Sequence, residues 1–263
     1  MTRNRYTNPS TMIVYFVLRI LVILTAVRAF FRRDFESLAL CVLTLALFIL
    51  PIIVERRLKV ELPSTMEIII LCFIFAAEIL GEIHSFYILV PHWDTVLHTL
   101  NGFNCAAIGF ALVDLLNRSE QFSFKLSPLF LAIVAFCFSM TVGVMWEFIE
   151  YSFDQLFTID MQKDAVVDRF ASVTLDATQQ NNAVTVSDIK DVIVIHGDGS
   201  QQALGVGGYL DIGIHDTMKD LFVNLIGAVV FSIIGYFYVK QRGKGRFASK
   251  FIPKVQMADD AQT

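Results

Sequence analysis

Six apolar segments, each long enough to cross a lipid bilayer, constrain this chain more than any other feature of its sequence. An α-helix rises about 1.5 Å per residue, so roughly 20 apolar residues cross the hydrocarbon core. Hydrophobic residues make up 55% of the chain and charged residues only 17%, with a mean hydropathy of +0.60. The pattern predicts an all-α polytopic membrane protein with about six transmembrane helices, near residues 12–30, 36–54, 64–84, 94–115, 127–152 and 216–239.

A long polar connection separates the fifth apolar segment from the sixth. It contains strand-like stretches at 170–175, 183–186 and 192–195, and residues 179–182 read as a turn between the first two. We therefore expect a small β-rich insertion here. The predicted organisation is five transmembrane helices within 1–154, an extracytoplasmic loop or small β cap at 155–215, a sixth transmembrane helix at 216–240, and a basic cytoplasmic tail at 241–263.

The basic residues predict the orientation of the chain. Most Lys and Arg side chains lie in the termini and in the connections on the same side of the bilayer as the termini. The positive-inside rule then predicts a multi-pass protein of the cell membrane with both termini in the cytoplasm. The basic tail indicates contact with anionic membrane lipids. The net charge of −4 gives no argument for a nucleic-acid partner, which a basic patch would favour.

Acidic and histidine side chains interrupt the ends of four apolar segments. Alternation of the segments across the bilayer places all of these ends at the extracytoplasmic face. An ionisable side chain inside a span is costly, so it is by default a hypothesis for a functional site, and it should point into the helix bundle. The groups are Glu78 and Glu82, Asp94 and His98, Glu147 and Glu150, and Asp216 and Asp220.

Helical spacing aligns these groups within each span. Glu78 and Glu82 are four residues apart, as are Asp94 and His98, so an α-helix places each pair on one face. The inner halves of the spans look apolar, which argues against a continuous polar path across the membrane. Depth inside the spans predicts that a shared site centres on His98, Glu147, Asp220 and Asn224.

The residue types in this group suit a divalent cation. A mixed carboxylate and imidazole shell favours Zn²⁺, Mn²⁺ or Mg²⁺ over Cu(I), which prefers sulfur. A divalent metal ion is therefore the candidate cofactor, and carboxylates that share protons are the alternative. Glu147 is the candidate general base and His98 a candidate acid or ligand. The candidate metal ligands are Asp94, His98, Glu150, Asp220 and Asp216, and the candidate binding residues are Asn224, Asn101 and Glu78.

Three separated motifs resemble the YjdF-like family of bacterial inner-membrane proteins. They are VPHWDTVLH at 90–98, GVMWEFIE at 143–150 and DTMKDL at 216–221. The resemblance implies a bacterial multi-span membrane protein of unknown biochemical activity. The chain departs from the family by carrying an insertion between about Asp164 and Tyr209.

A more distant resemblance is to the VanZ-like superfamily, which is associated with antibiotic resistance of the cell envelope. Its D-x-x-x-H pattern matches Asp94 and His98, and its central acidic position matches Glu147. Its D-x-x-x-N-x-x-G pattern matches Asp220, Asn224 and Gly227.

The sequence leaves three functions open. The first is an envelope-facing membrane enzyme that acts on a lipid-linked or amphipathic small molecule. The second is a transporter that binds protons or cations at the same carboxylates. The third is a structural or sensor protein, in which the buried carboxylates only join helices and Asp94 and Asp216 are N-terminal charges on their helices.

Overall fold

The fold is mostly helical, as the apolar segments predict. The computed structural model describes residues 9–58, 60–118, 126–241, 250–252 and 254–255. The predicted basic tail at 241–263 lies largely outside the described residues. The helices are α1 (Pro9–Arg32), α2 (Phe35–Leu47), α3 (Leu50–Leu58), α4 (Ser64–Phe75), a π-helical segment (Ala76–Ile83), α5 (Phe86–Leu89), α6 (Trp93–Arg118), α7 (Pro128–Phe157) and α8 (Ile214–Lys240).

Five of these helical stretches are long and apolar enough to cross a membrane. Their outward faces are apolar as well: Ile20 and Leu24 of α1 are 55% and 60% exposed, a surface that suits lipid rather than water. The chain is therefore a multi-pass membrane protein. The five stretches are Pro9–Arg32, Phe35–Arg57, Trp93–Asp114, Pro128–Phe157 and Ile214–Lys240.

The remaining predicted span, 64–84, is helical but not uniformly α-helical. It begins as α4 after Pro63 and changes at Ala76 to the wider π-helical winding, which ends before Ser85 at a positive φ of 57°. The spacing of 3.6 residues per turn that aligned Glu78 with Glu82 does not hold in such a segment. Glu78 is half-buried and Glu82 is exposed.

The chain divides into two compact units. One comprises Met1–Gly143 with Asp220–Thr263, and the other comprises Val144–Lys219, so that α7 and α8 each contribute to both. In the first unit, one apolar cluster surrounds Phe110 and Phe231, and Phe251 joins it with its ring centroid 5.2 Å from that of Phe103. A second cluster joins α1, α2 and α4 and includes the buried Val22.

Helices α6 and α8 approach each other closely because glycines face the contact. A Cβ atom at Gly102 of α6 would overlap the backbone oxygen of Asn224, and one at Gly227 of α8 would overlap the backbone oxygen of Thr99. Small residues allow such backbone contacts between membrane helices. This contact brings the polar residues of the two helices to the same level.

The second unit contains the predicted β-rich insertion. Its strands are short and pair in antiparallel fashion: β2 (Ala165–Val167) with β7 (Tyr209–Asp211), β3 (Phe170–Ser172) with β4 (Val184–Val186), and β5 (Ile193–Ile195) with β6 (Gln201–Ala203). The expectation of small strands between the last two spans is confirmed. In the first unit, β1 (Val60–Glu61) pairs with β8 (Lys254–Val255).

The turn between β3 and β4 is organised by Asp176. Its carboxylate accepts hydrogen bonds from the backbone amides of Thr178, Gln180 and Asn182, at 2.9, 3.0 and 2.9 Å. The Thr178 hydroxyl, the largest cause, and these amides lower the pKa of Asp176 to about 2. Because this pKa is depressed in the folded state, the stabilisation is present above the unfolded value and is lost only as the pH falls towards 2.

We predict that Gly227→Ala destabilises the protein. Alanine in a helix interior normally gains about 0.5–1 kcal/mol over glycine, but overpacking against the α6 backbone costs about 1–3 kcal/mol. A net loss of about 1 kcal/mol lowers the Tm in detergent by about 2–4 °C. The matched control is Gly197→Ala, where an added Cβ meets nothing within 4 Å. A Gly227→Ala protein that melts above the wild type would contradict the close contact.

We also predict that Asp176→Ala opens the β3–β4 turn. Hydrogen exchange followed by mass spectrometry at neutral pH should show several-fold faster exchange at Thr178, Gln180 and Asn182, because their shared acceptor is gone. Asp188→Ala is the control, since the Asp188 carboxylate pairs with Lys190 at 2.6 Å on the exposed surface. Unchanged exchange in the Asp176 variant would show that the carboxylate does not hold the turn.

Candidate functional site

Two carboxylates and one imidazole converge where α6 meets α8. Asp94 lies in the first turn of α6, and His98 follows one turn later on the same face. The Nε2 atom of His98 is 3.3 Å from Oδ1 of Asp94 and 3.8 Å from Oδ2 of Asp220 on α8. The exposed fraction of the three side chains falls from 24% for Asp94 to 11% for His98 and 2% for Asp220. The site is thus open at Asp94 and closed at Asp220.

The spacing of these three groups suits a single metal ion. One ligand atom from each residue lies within 4.8 Å of the other two. Carboxylate oxygens and imidazole nitrogens bind Zn²⁺ at about 2.0–2.2 Å, so two ligands on opposite sides of one ion are roughly 4.4 Å apart. A small inward movement of the side chains would bring all three into range. Three protein ligands leave positions for water or substrate, as in catalytic rather than structural sites.

A network of hydrogen bonds lies one helical turn further into α6 and α8. The Asn101 amide donates to Oδ1 of Asn224 at 3.5 Å, and the Asn224 amide donates to the backbone oxygen of Ser139 on α7, also at 3.5 Å. The Ser139 hydroxyl donates to the backbone oxygen of Gly102 at 2.7 Å. Asn224 is 1% exposed. The predicted binding residues Asn101 and Asn224 therefore connect the helices that carry the three metal-binding candidates.

Glycine at position 143 makes room for this network. A Cβ atom there would lie 2.7 Å from Nδ2 of Asn224. Any larger residue on α7 would push the Asn224 side chain away from Asn101. The glycine that begins the GVMWEFIE motif thus has a packing role of its own.

The other predicted site residues lie on elements with their own contacts. Glu147 and Glu150 of α7 are buried, and Glu150 accepts a hydrogen bond from Nε1 of Trp146 at 2.7 Å. Asp216 of α8 accepts from the backbone amide of Lys163 at 2.9 Å and contacts Nζ of Lys219 at 2.7 Å. These three contacts lie inside the Val144–Lys219 unit. Metal binding by Glu150 and Asp216 stays a prediction, as does the role of Glu147 as a base.

Two buried polar residues of α6 are missing from the predicted site. Asn104 is 6% exposed and Asp114 is 7% exposed. Asp114 is a buried carboxylate at the far end of its span from Asp94, where the sequence alone does not distinguish it from a solvated helix end. Residues 105–113, between Asn104 and Asp114, are apolar, in line with the expectation for this half of the span. Asn104 follows Asn101 by three residues and continues its stripe along the helix.

Helical spans and a polar group within them define the chain as an integral membrane protein. It belongs to the DUF2238 family of predicted membrane proteins, whose sequence profile matches residues 12–178. The YjdF-like resemblance agrees with this family. The VanZ-like resemblance has no support in these matches and stays a hypothesis.

One curated relative shares part of the chain. It is a Thermotoga maritima protein described as uncharacterized, 23% identical over 106 residues, which are 40% of this chain and 53% of the relative. The matched region thus spans about half the length of that relative. No solved structure matches the chain.

We predict that Asp220→Asn abolishes stoichiometric metal binding while leaving the fold intact, because an amide of the same shape replaces a charged ligand. Loss of outer-shell partners already weakens metal affinity by about 10–100-fold, so loss of a ligand should weaken it by at least about 100-fold. Metal content of purified protein, measured by mass spectrometry after dialysis against Zn²⁺ or Mn²⁺, checks this. Asp168→Asn, which changes an exposed carboxylate (78% exposed), is the control. Equal metal content in both variants would show that Asp220 is not a metal ligand.

Proposed function

We propose that the protein is a metal-dependent membrane enzyme that acts on a lipid-linked or amphipathic substrate at the extracytoplasmic face of the cell membrane. The observation that supports this most directly is the convergence of Asp94, His98 and Asp220, with ligand atoms within 4.8 Å of one another. An ionisable side chain inside a membrane span is costly, and it is therefore by default a hypothesis for a functional site. Carboxylates and an imidazole are ligand types that a divalent cation takes in proteins.

The proposed roles of the residues follow from their chemistry. Asp94, His98 and Asp220 hold a divalent ion, which when bound polarises an oxygen of the substrate or of a water molecule. Asn101 and Asn224 keep α6 and α8 at the distance that the ligands require. Glu147 is the proposed general base, which such reactions use to take a proton in the transition state.

The proposed substrate class follows from the location of the site. Its ligands lie on membrane-spanning helices, and Asp94 at the open end is 24% exposed. A substrate that reaches it from the bilayer therefore needs a polar group joined to an apolar part. The distribution of basic residues supports an extracytoplasmic position, and the VanZ-like resemblance supports a role in the cell envelope.

A cation or proton transporter is the second candidate, and one observation favours it. Asp94 and Asp114 lie on the same helix, separated by 20 residues or about 30 Å of helix length. Asn101 and Asn104 continue the polar stripe from Asp94, residues 105–113 are apolar apart from the Cys105 thiol, and Asp114 is a second, buried carboxylate at the far end of the span. Buried carboxylates on membrane-spanning helices mark proton or cation pathways in many transporters.

The test compares two variants whose effects differ under the proposal. Asp220→Asn should lose both metal and turnover of a bacterial lipid extract in proteoliposomes. Glu147→Gln should keep the metal and lose turnover by about 10²–10⁴-fold, the contribution of a general base. Asp168→Asn should change neither. Lipid products are followed by mass spectrometry.

Two results would overturn the proposal of a metal-dependent enzyme. One is a wild-type protein that binds no divalent metal, and the other is bound metal without turnover of any lipid. Proton or cation flux into the same vesicles, abolished by Asp114→Asn, would establish the transporter instead.

A further inference from the structure

A cavity of about 240 Å³ lies among α3, α4 and α6 within the Met1–Gly143 unit. Apolar side chains form most of its wall, among them Leu50 of α3, Met66 and Ile70 of α4, and Ile108 of α6. An apolar protein cavity of about 150 Å³ stays dry and takes up benzene or xenon. A larger cavity with an apolar wall should likewise hold an apolar guest.

The cavity borders the lipid-facing side of the helices. Leu50 lines it and is also 46% exposed. Leu50 and Pro51 follow the interruption between α2 and α3, where the helix is broken at Phe48 and Ile49. In a membrane protein, the apolar molecules that surround such a position are the hydrocarbon chains of lipids.

One end of the cavity is polar. Asn101, Asn104 and Cys105 of α6 line it. The Cys105 thiol is 3.4 Å from Oδ1 of Asn101, and the Asn101 amide donates to Asn224. The Oδ1 atom of Asn104 is buried and has no hydrogen-bond donor within the described part of the chain. A buried carbonyl oxygen without a donor is unfavourable in an apolar environment, so a ligand that brings an O–H or N–H group would stabilise this end.

We propose that the cavity binds one hydrocarbon chain of a membrane lipid that carries an O–H or N–H donor opposite Asn104. Asn101 follows His98 by three residues, about 4.5 Å along the helix axis, so the polar end begins one turn from the metal-binding candidates. One part of this proposal rests on the proposed function, namely that the bound lipid is the substrate. Its reactive group then lies at His98, and its chain extends along α6 towards Leu112.

The test uses the full chain in vesicles of phosphatidylethanolamine and phosphatidylglycerol. The probe is hexadecanol with a photoactivatable diazirine in the middle of its chain. After irradiation, peptide mapping should find adducts at Met66, Ile70 and Ile108 that excess unlabelled hexadecanol removes. Adducts at lipid-facing positions should not saturate. Ile108→Trp, which fills the cavity, should lose the saturable adducts, whereas Ile233→Trp on the exposed face of α8 (52% exposed) should keep them.

The Asn104 contact has a separate readout that needs no large side chain. Hexadecyl methyl ether has the same chain but no donor, so it should compete about two- to tenfold less well than hexadecanol, the range of one neutral hydrogen bond. Asn104→Leu should remove this difference. Adducts that do not saturate, or that are equal in Ile108→Trp and wild type, would overturn the proposal that a lipid chain binds in the cavity. Equal competition by the alcohol and the ether would overturn the proposed hydrogen bond from the lipid to Asn104.

Metal content of the same samples separates the two proposals. Ile108→Trp protein that retains the wild-type metal content is folded, so its loss of saturable labelling is a property of the cavity. Saturable labelling in wild-type protein that binds no metal would keep the lipid site and reject the metal-dependent enzyme. Metal binding without saturable labelling would keep the metal site and reject the lipid site in the cavity.

Discussion

Close packing of α6 against α8 is the interaction on which the candidate site depends. Gly102 and Gly227 let the two backbones approach, and the Asn101–Asn224 hydrogen bond crosses the contact. At this separation Asp220 reaches His98, one turn above the asparagines. Lipid chains are as apolar as leucine side chains, so packing and hydrogen bonds, rather than exclusion of water, hold membrane helices together. The polar groups of this contact therefore serve both the fold and the site.

The charge of the site is the next constraint. Asp220 is 2% exposed and faces an imidazole that Asp94 also approaches. Carboxylates that lie together in an environment of low dielectric constant favour a shared proton or a bound cation. A divalent ion would also offer positions for substrate oxygens, and for that reason the metal is the centre of the proposed function.

Much of the fold follows from the sequence, because a membrane requires long apolar helices. The spans and the strands β3, β4 and β5 are close to their predicted positions, whereas β2, β6 and β7 were not predicted. The helical spacing of Asp94 and His98 and the position of Asp220 predict groups that do lie close together. The change to π-helical winding at Ala76 left no signal in the hydrophobic pattern. Asp114 is the last residue of its span, where the sequence does not distinguish a buried carboxylate from a solvated helix end. The cavity near Asn104 depends on how three helices pack, which residue periodicity does not specify.

The most direct test of the central claim is X-ray absorption spectroscopy of the zinc-loaded protein in membranes. We predict a first shell of one imidazole nitrogen and two carboxylate oxygens at about 2.0–2.2 Å, completed by water. The imidazole contribution should disappear in His98→Ala, whereas His196→Ala, in the exposed turn after β5, should leave the spectrum unchanged. A shell of water oxygens alone, or an imidazole signal that survives in His98→Ala, would contradict the assignment of Asp94, His98 and Asp220 as a metal centre.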